Sequence, residues 1–331
     1  MSRIPSEMTV LLTSAGVATA SNVIDALQEA PDLACRIVAV DQSPFAAGLH
    51  RADAWENLPP CASPEYIDRV FDLCRREGVF FLFPLYSGEI GLFCEHAARF
   101  REIGVHLMLP PAQAVRTCND KRLFGEFLEA NGFRSPRIHE ADAARVPDFP
   151  LIMKPASGSG SKNVVRIDGP ADLAYFRTKF PGHILQAFVQ GREYTVDCLV
   201  DQGRVLACVP RTRVVVKDGK TMVGRTEEHP GLRAATARLL AALGMNGPCN
   251  VQFIEDEGGE LHVIEVNPRL AAGGLPLSVR AGANIPAMML RLARGEAVEP
   301  VEAYRRGVVM TRYLSSLFLV ETERGLEPYE P

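Results

Sequence analysis

Residues 248–269, PCNVQFIEDEGGELHVIEVNPR, restrict the fold more than any other stretch of this chain. Two runs of alternating apolar and polar residues flank Gly258-Gly259, the signature of an antiparallel hairpin closed by a tight turn. With the turn centred on the two glycines, Glu257 faces Glu260. Counting back puts Gln252 opposite Glu265 and Asn250 opposite Asn267. Strand side chains alternate between faces, so Phe253, Ile264 and Val266 are expected on a buried face and Gln252, Glu265 and Asn267 on the other. Oxygen donors gathered across two strands suit a hard cation such as Mg²⁺. Arg269 continues the polar face and can bind an anion beside that metal. A cation and an arginine on one rigid surface meet the needs of a polyphosphate. The competing reading is a plain hairpin with a solvated face; against it, Asn-Pro-Arg ends a strand awkwardly and the apolar face is strong.

The bulk of the chain narrows the choice further. Its 331 residues exceed one typical domain, so two or three packed units are expected. A hydrophobic content of 47% suffices for real cores, and a net charge of −4 without a basic block argues against nucleic acid. Apolar runs are too short and interrupted to span a bilayer, and the N-terminus enters a strand pattern without a secretory signal. Cysteines at 35, 61, 74, 94, 118, 198, 208 and 249 form no CxxC pair. They read as small core residues of a reduced, cytoplasmic protein.

Residues 8–110 alternate strand and helix signals, hence a parallel α/β sheet. TVLLTSAG, CRIVAVD, VFFLFPL and VHLMLP are the expected strands. SPEYIDRVFDLCRREG is a helix with Ser63 as N-cap and Gly78 beyond its end. The G-x-G-x-x-G fingerprint is absent, and Asp41 after the second strand reads equally as a ribose ligand or a cap. Residues 117–132 read as one helix with a Thr117/Asp120 cap; Lys121 in its first turn is either functional or solvated. MKPASGSGSK (153–162) ends a strand at Lys154 and enters a glycine-rich loop, Ser157, Gly158, Ser159, Gly160, Ser161 and Lys162. That loop either presents backbone N–H groups to an anion or is a flexible turn, and it lacks Walker spacing. Two strands meet at Gln190-Gly191; Glu193, Thr195 and Asp197 share one face there, as do Arg211 and Arg213 on the next strand. Residues 229–243 are helical. A helix begins at Pro286 and ends at Gly295, and 307–320 reads as a last buried strand.

In order and spacing, NDK (119–121), MKPASGSGSKNV (153–164), FVQGREYTVD (188–197) and NVQF…VIEVNPR (250–269) resemble the ATP-grasp superfamily, in its carbamoyl-phosphate-synthetase-like branch. The resemblance covers roughly residues 8–320. It implies an N-terminal Rossmann-like parallel α/β domain (1–115) followed by an ATP-grasp fold: a lid subdomain (116–190) and a C-terminal antiparallel-sheet subdomain (191–331). Lys121 and Lys154 resemble the lysines that reach nucleotide phosphates, and Ser157 to Lys162 the loop that closes over them. Gln186, Phe188 and Val189 belong to the segment resembling the adenine hinge, and Glu193 resembles the ribose-binding acid. Gln252, Glu265 and Asn267 resemble the magnesium ligands, and Arg269 the phosphate-binding arginine. Many family members carry Glu where this chain has Gln252, and an acid is common where it has Gln186.

The implied cofactors are ATP and Mg²⁺. The implied reaction activates a small carboxylate as an acyl phosphate, which an amine or ammonia then attacks. Lys154, Arg269 and Arg213 are the catalytic candidates; Glu89, Arg211, Arg213 and Arg280 are candidates for the acceptor site, each arginine reading equally as structural. Small-molecule carboxylate and amine partners follow, and a homodimer is compatible with the resemblance. A stand-alone kinase acting on bicarbonate or carbamate and a nucleotide-binding module without turnover are the rival functions.

Overall fold

The computed structural model describes residues 8–141, 148–158, 163–217, 219–322 and 325–329. The chain builds three main sheets. In the first, β1 (Met8–Leu12), β2 (Cys35–Asp41), β3 (Ala54–Asn57) and β4 (Val79–Phe83) run parallel in the order β3-β2-β1-β4. Helices α1 (Ala18–Gln28), α2 (Tyr66–Glu77) and α3 (Ser87–Glu102) connect and cover it. Both faces are occupied, which is why β1, β2 and β4 are apolar almost throughout. The α2 stripe Tyr66, Ile67, Val70, Leu73 and Cys74 is buried, and Gly78 closes the helix at φ 61°, as the sequence suggests. Ser63 is not the cap; Glu65 holds that position without a side-chain bond.

Two expectations for this sheet are corrected. VHLMLP contributes one bridge, Phe81 to His106, before Pro110 and Pro111 carry the chain away. The remaining strand is β3, AWEN, whose four alternating half-buried and exposed residues give little apolar signal.

Helices α4 (Ala112–Asn119) and α5 (Lys121–Ala130) replace the single helix expected over 117–132. Asp120 breaks the run at φ −108°, ψ 116°, and its carboxylate accepts from the N–H groups of Arg122 and Leu123. It caps the second helix and leaves Lys121 as its first residue. The second sheet, β5 (Ile138–Glu140), β6 (Leu151–Pro155), β7 (Val165–Ile167) and β8 (His183–Ala187), is antiparallel in the order β5-β8-β6-β7, with α6 (Pro170–Lys179) on it.

The third sheet is the largest. Strands β9 (Gly191–Asp201), β10 (Arg204–Lys217), β11 (Lys220–Thr226), β12 (Gly247–Asp256), β13 (Leu261–Asn267) and β14 (Val309–Thr311) stand in the order β13-β12-β9-β10-β11-β14. Helix α7 (Pro230–Ala242) covers one face. The short helix α8 (Leu275–Arg280) precedes α9 (Ile285–Ala293), which starts one residue before the expected Pro286, and Gly295 follows it at φ 75°. Both pack on α1, so one apolar cluster contains residues from the first sheet and from 270–290. The expected buried strand over 307–320 is confined to β14. Tyr313, Leu314 and Phe318 are exposed, and β15 (Leu319–Thr322) pairs only with β16 (Gly325–Pro328).

The β12–β13 hairpin keeps its expected partners at the polar end, Gln252 with Glu265 and Asn250 with Asn267, by a different route. Its loop holds three residues: Asp256 N–H bonds Glu260 O at 3.0 Å, and Gly259 takes φ 80°. This shifts the register by one, and a bulge at Ile264 shifts it back. The core-facing residue is consequently Val263, at 3% exposure, and not Ile264.

Candidate nucleotide and acyl-transfer site

The polar face of the hairpin is a connected set. Asn267 Nδ2 donates to Glu265 Oε1 at 2.8 Å and lies 3.3 Å from Asn250 Oδ1. Arg269 Nη2 reaches Asn267 Oδ1 at 3.4 Å, and its Nη1 donates to Leu270 O at 2.8 Å. Its Nε donates to Ser87 Oγ at 2.6 Å, which joins the first residue of α3 to the end of β13. From the centre of the same sheet Arg213 Nη1 approaches Gln252 Oε1 at 3.5 Å and pairs with Glu193 at 3.0 Å. Its other nitrogens are fixed by Thr221 Oγ1 and Gly219 O.

The second sheet supplies Lys154 and Gln186 from the neighbouring strands β6 and β8, where the register pairs Lys154 with Ile184 and Gln186 with Ile152; the two are diagonal neighbours and exposed to only 8% and 6%. Lys154 Nζ donates to Gln186 Oε1 at 2.5 Å, while Gln186 Nε2 donates to Pro136 O at 2.9 Å. The Gln186 amide is thus a clamp for the lysine. Phe188 N–H bonds Pro150 O, and Arg166 stacks over its ring at 4.5 Å; Val189 follows half-buried. Lys121 is held near by three links: its N–H to Ala156 O, its Nζ to Gly158 O at 3.2 Å, and the Asp120–Ser157 bridge. Ser157 and Gly158 are therefore tied to the start of α5. Ser159, Gly160, Ser161 and Lys162 lie outside the described residues.

Charge defines the site. Burial lowers Lys121, Lys154, Arg213 and Arg269 from their ordinary values, Lys154 to about 8, and the Glu265 carboxylate opposes that fall in all four. Lys121 also feels Asp120, and Arg213 feels Glu193. Four cations against three carboxylates leave a partly desolvated surplus of positive charge, a setting for an anion. The hairpin donors also fit Mg²⁺. Gln252, Glu265 and Asn267 offer oxygen atoms with one formal charge, and Mg²⁺ commonly completes its shell with substrate phosphates and water.

Three candidates stand elsewhere. Arg211 is 3% exposed and grips Asp197 through Nε and Nη2, both at 3.0 Å, while Ser278 Oγ donates to the same carboxylate at 2.6 Å. Arg280 lies on α8 with an exposed side chain paired to Glu29 at 2.9 Å, away from the hairpin face. Glu89 is completely buried under the ends of β1 and β4. It accepts from Thr13 Oγ1, Ser14 Oγ, Tyr66 Oη and the N–H groups of Leu85 and Tyr86. Burial raises its carboxyl, and it braces the loops, leaving no exposed atom for an acceptor. Sequence reading passed over Ser87 and Asn250 as site residues. Asn250 alone carried a signal, since it faces Asn267 in the expected register.

Comparisons with known proteins bear on the family and the fold. A family model described as ATP-grasp in the biosynthetic pathway with Ter operon matches residues 179–315, and one described as PylC-like, N-terminal domain, matches residues 10–108. The carbamoyl phosphate synthase large chain of Gemmatimonas aurantiaca is 25% identical over 278 residues, covering 72% of this chain and 24% of that one. The chain thus spans about a quarter of that relative's length. Among solved structures, a biotin carboxylase–β,γ-ATP complex from Campylobacter jejuni shares the fold with a TM-score of 0.70 at 18% identity, covering 92% of this chain and 74% of that one. An L-amino acid ligase from Bacillus licheniformis does so at 0.69 and 19%, covering 89% and 78%. With the hairpin, the lysine pair and both matched regions in their expected order, the chain carries an ATP-grasp match over 179–315 and a PylC-like N-terminal match over 10–108, and is similar to carbamoyl phosphate synthase large chains.

Proposed function

We propose that this protein is an ATP- and Mg²⁺-dependent ligase that activates a small carboxylate as an acyl phosphate and joins it to an amine or ammonia, releasing ADP and phosphate. The observation that carries this reading is the surplus of cations, Lys121, Lys154, Arg213 and Arg269, sharing the Glu265 carboxylate. The terminal phosphates of a nucleotide supply the missing negative charge.

Phosphoryl transfer depends on positioning and charge neutralisation. Gln186 holds the Lys154 ammonium in place without cancelling its charge, and Ser87 and Leu270 O hold Arg269. Both side chains are oriented before substrate arrives, so little reorganisation remains for the transition state. With the Gln186 amide occupied on both sides, base recognition falls to the backbone after it, at Ala187–Val189. Magnesium bound by Glu265, Asn267 and Gln252 would add Lewis-acid charge at the phosphates. Glu193, paired with Arg213, is the proposed ribose ligand, and nucleotide entry must loosen that pair.

The likeness to carbamoyl phosphate synthase supports one rival, phosphorylation of bicarbonate or carbamate. Phosphate release by the full chain with MgATP separates the two. Release that requires a carboxylic acid together with an amine supports the ligase. Release driven by bicarbonate alone selects the rival, and nucleotide binding without release in any mixture overturns both.

A further inference from the structure

Arg211 and Arg312 meet the same glycine pair, Gly273-Gly274, at the entrance to α8. The Arg211 guanidinium lies against Gly274 so closely that a Cβ there would come within 1.8 Å of Cζ. Nε and Nη2 of Arg211 are taken by Asp197, but Nη1 is buried with no hydrogen-bond partner among the described residues. Arg312, just past β14, donates from Nη2 to Gly273 O at 2.9 Å. Its Nε is likewise buried without a partner, and no described carboxylate pairs with it. Burial and the charge of Arg211 together push Arg312 down, with no contribution from Glu265.

Of these two guanidinium groups only Arg211 has a carboxylate partner, and together they keep two unsatisfied donors. Buried donors are nearly always satisfied, so a pair of orphans beside an excess charge marks the place of a missing acceptor. The position matters as well. Arg213, two residues along β10 from Arg211, donates to Thr221 Oγ1, which lies against Gly273, and reaches Gln252 Oε1 on the hairpin, so it stands between this pair and the nucleotide cluster.

We propose that Arg211 and Arg312 hold a second anionic group of the acceptor, so that the substrate class is a carboxylic acid bearing a further carboxylate or phosphate-like group. This rests on reading the adjacent site as one that phosphorylates a carboxylate. The reacting carboxylate lies toward Arg213 and Arg269, and the second anion anchors the molecule at the glycine pair. A planar guanidinium with free N–H groups matches either oxyanion geometry.

Calorimetry on the full chain tests this with a length-matched series of butyrate, succinate and 3-phosphonopropionate, with MgADP present and without nucleotide. One or both dianions should bind at least about tenfold more tightly than butyrate, the gain expected from a charge-assisted arginine contact. Which dianion gains distinguishes a carboxylate from a phosphate-like group. Arg312→Gln should erase the preference, and Arg312→Lys, which keeps the charge without the planar fork, should restore part of it. Arg312→Gln should bind MgADP as the wild type does, because Arg312 lies outside the Glu265 cluster. Equal binding across the series, or a preference that survives Arg312→Gln, overturns the proposal. Failure to bind MgADP at all counts against the nucleotide site instead, while the dianion preference is still read on the nucleotide-free protein.

Discussion

Glu265 is the carboxylate on which four cations converge, and its removal should be felt in chemistry before it is felt in folding. It is half-buried on the polar strand face. Glu265→Ala is expected to cut phosphate release by about two orders of magnitude or more, the scale of losing one transition-state contact, with unchanged circular dichroism. Wild-type turnover from the folded variant would remove Glu265 from the mechanism. Asp197 should behave in the opposite way. It is 1% exposed and neutralises a buried arginine, so Asp197→Ala strands that charge and should destabilise the chain by about 3–5 kcal/mol in urea unfolding. Lys154 adds a pH effect whose sign differs between folding and binding. Its ammonium is depressed to about 8 from the usual 10.5. Below both values it is charged in folded and unfolded chains alike, and its burial weighs against the fold. Between them only the unfolded chain keeps the proton, so this group's contribution to stability rises with pH. Nucleotide affinity should fall across the same window as the cation is lost. Lys154→Met should flatten both trends; an affinity whose pH profile is unchanged in that variant would assign the titration elsewhere.

At the scale of elements, the β12–β13 hairpin shows how a site is positioned by irregularity. The bulge at Ile264 brings that side chain into the crevice it shares with Lys121, Lys154 and Gln186. Deleting Ile264 should leave Glu265 opposite Gln252, because the strand without the bulge has the same alternation beyond it. The fold and the polar face should survive, while nucleotide binding weakens roughly tenfold, the effect of losing about 1.4 kcal/mol of apolar contact. Collapse of the fold on deletion would mean that the bulge sets the register. The same hairpin shows what sequence can and cannot reveal. Its alternation placed Gln252, Glu265, Asn267 and Arg269 on one face, because period-two patterning is local and strong. The three-residue loop and the bulge were illegible, since each moves the register by one and together they cancel. Helix α2 was legible from its apolar stripe and Gly78, but the α4–α5 break was not, because Asp120 serves as readily inside a capping box as in a break between helices. Strand β3 and the Lys154–Gln186 clamp were hidden for another reason: four polar-rich residues and an amide contact across two strands leave no periodic trace.

For the whole molecule, the proposed reading predicts the products of ATP cleavage from the charge distribution. The hairpin donors, Arg269, Lys121 and Lys154 gather where terminal phosphates are expected, so ATP should yield ADP and phosphate. With an ¹⁸O-labelled carboxylic acid, label should appear in inorganic phosphate; label in AMP would reverse the assignment. No helix among the described residues is long and apolar enough to cross a membrane. A different consequence follows from the packing of α8 and α9 on α1. Asn284 donates to Ala26 O across 258 residues, Asn22 to Ala272 O across 250, and Arg291 reaches Asp32 across 259. During synthesis, α1 leaves the ribosome long before its cover exists. At a bacterial or eukaryotic pace of roughly 5–20 residues per second, its apolar flank waits bare for tens of seconds. Birth of the chain is therefore its most exposed moment, and a chaperone acting on the nascent protein has that helix, for that interval, as its natural target.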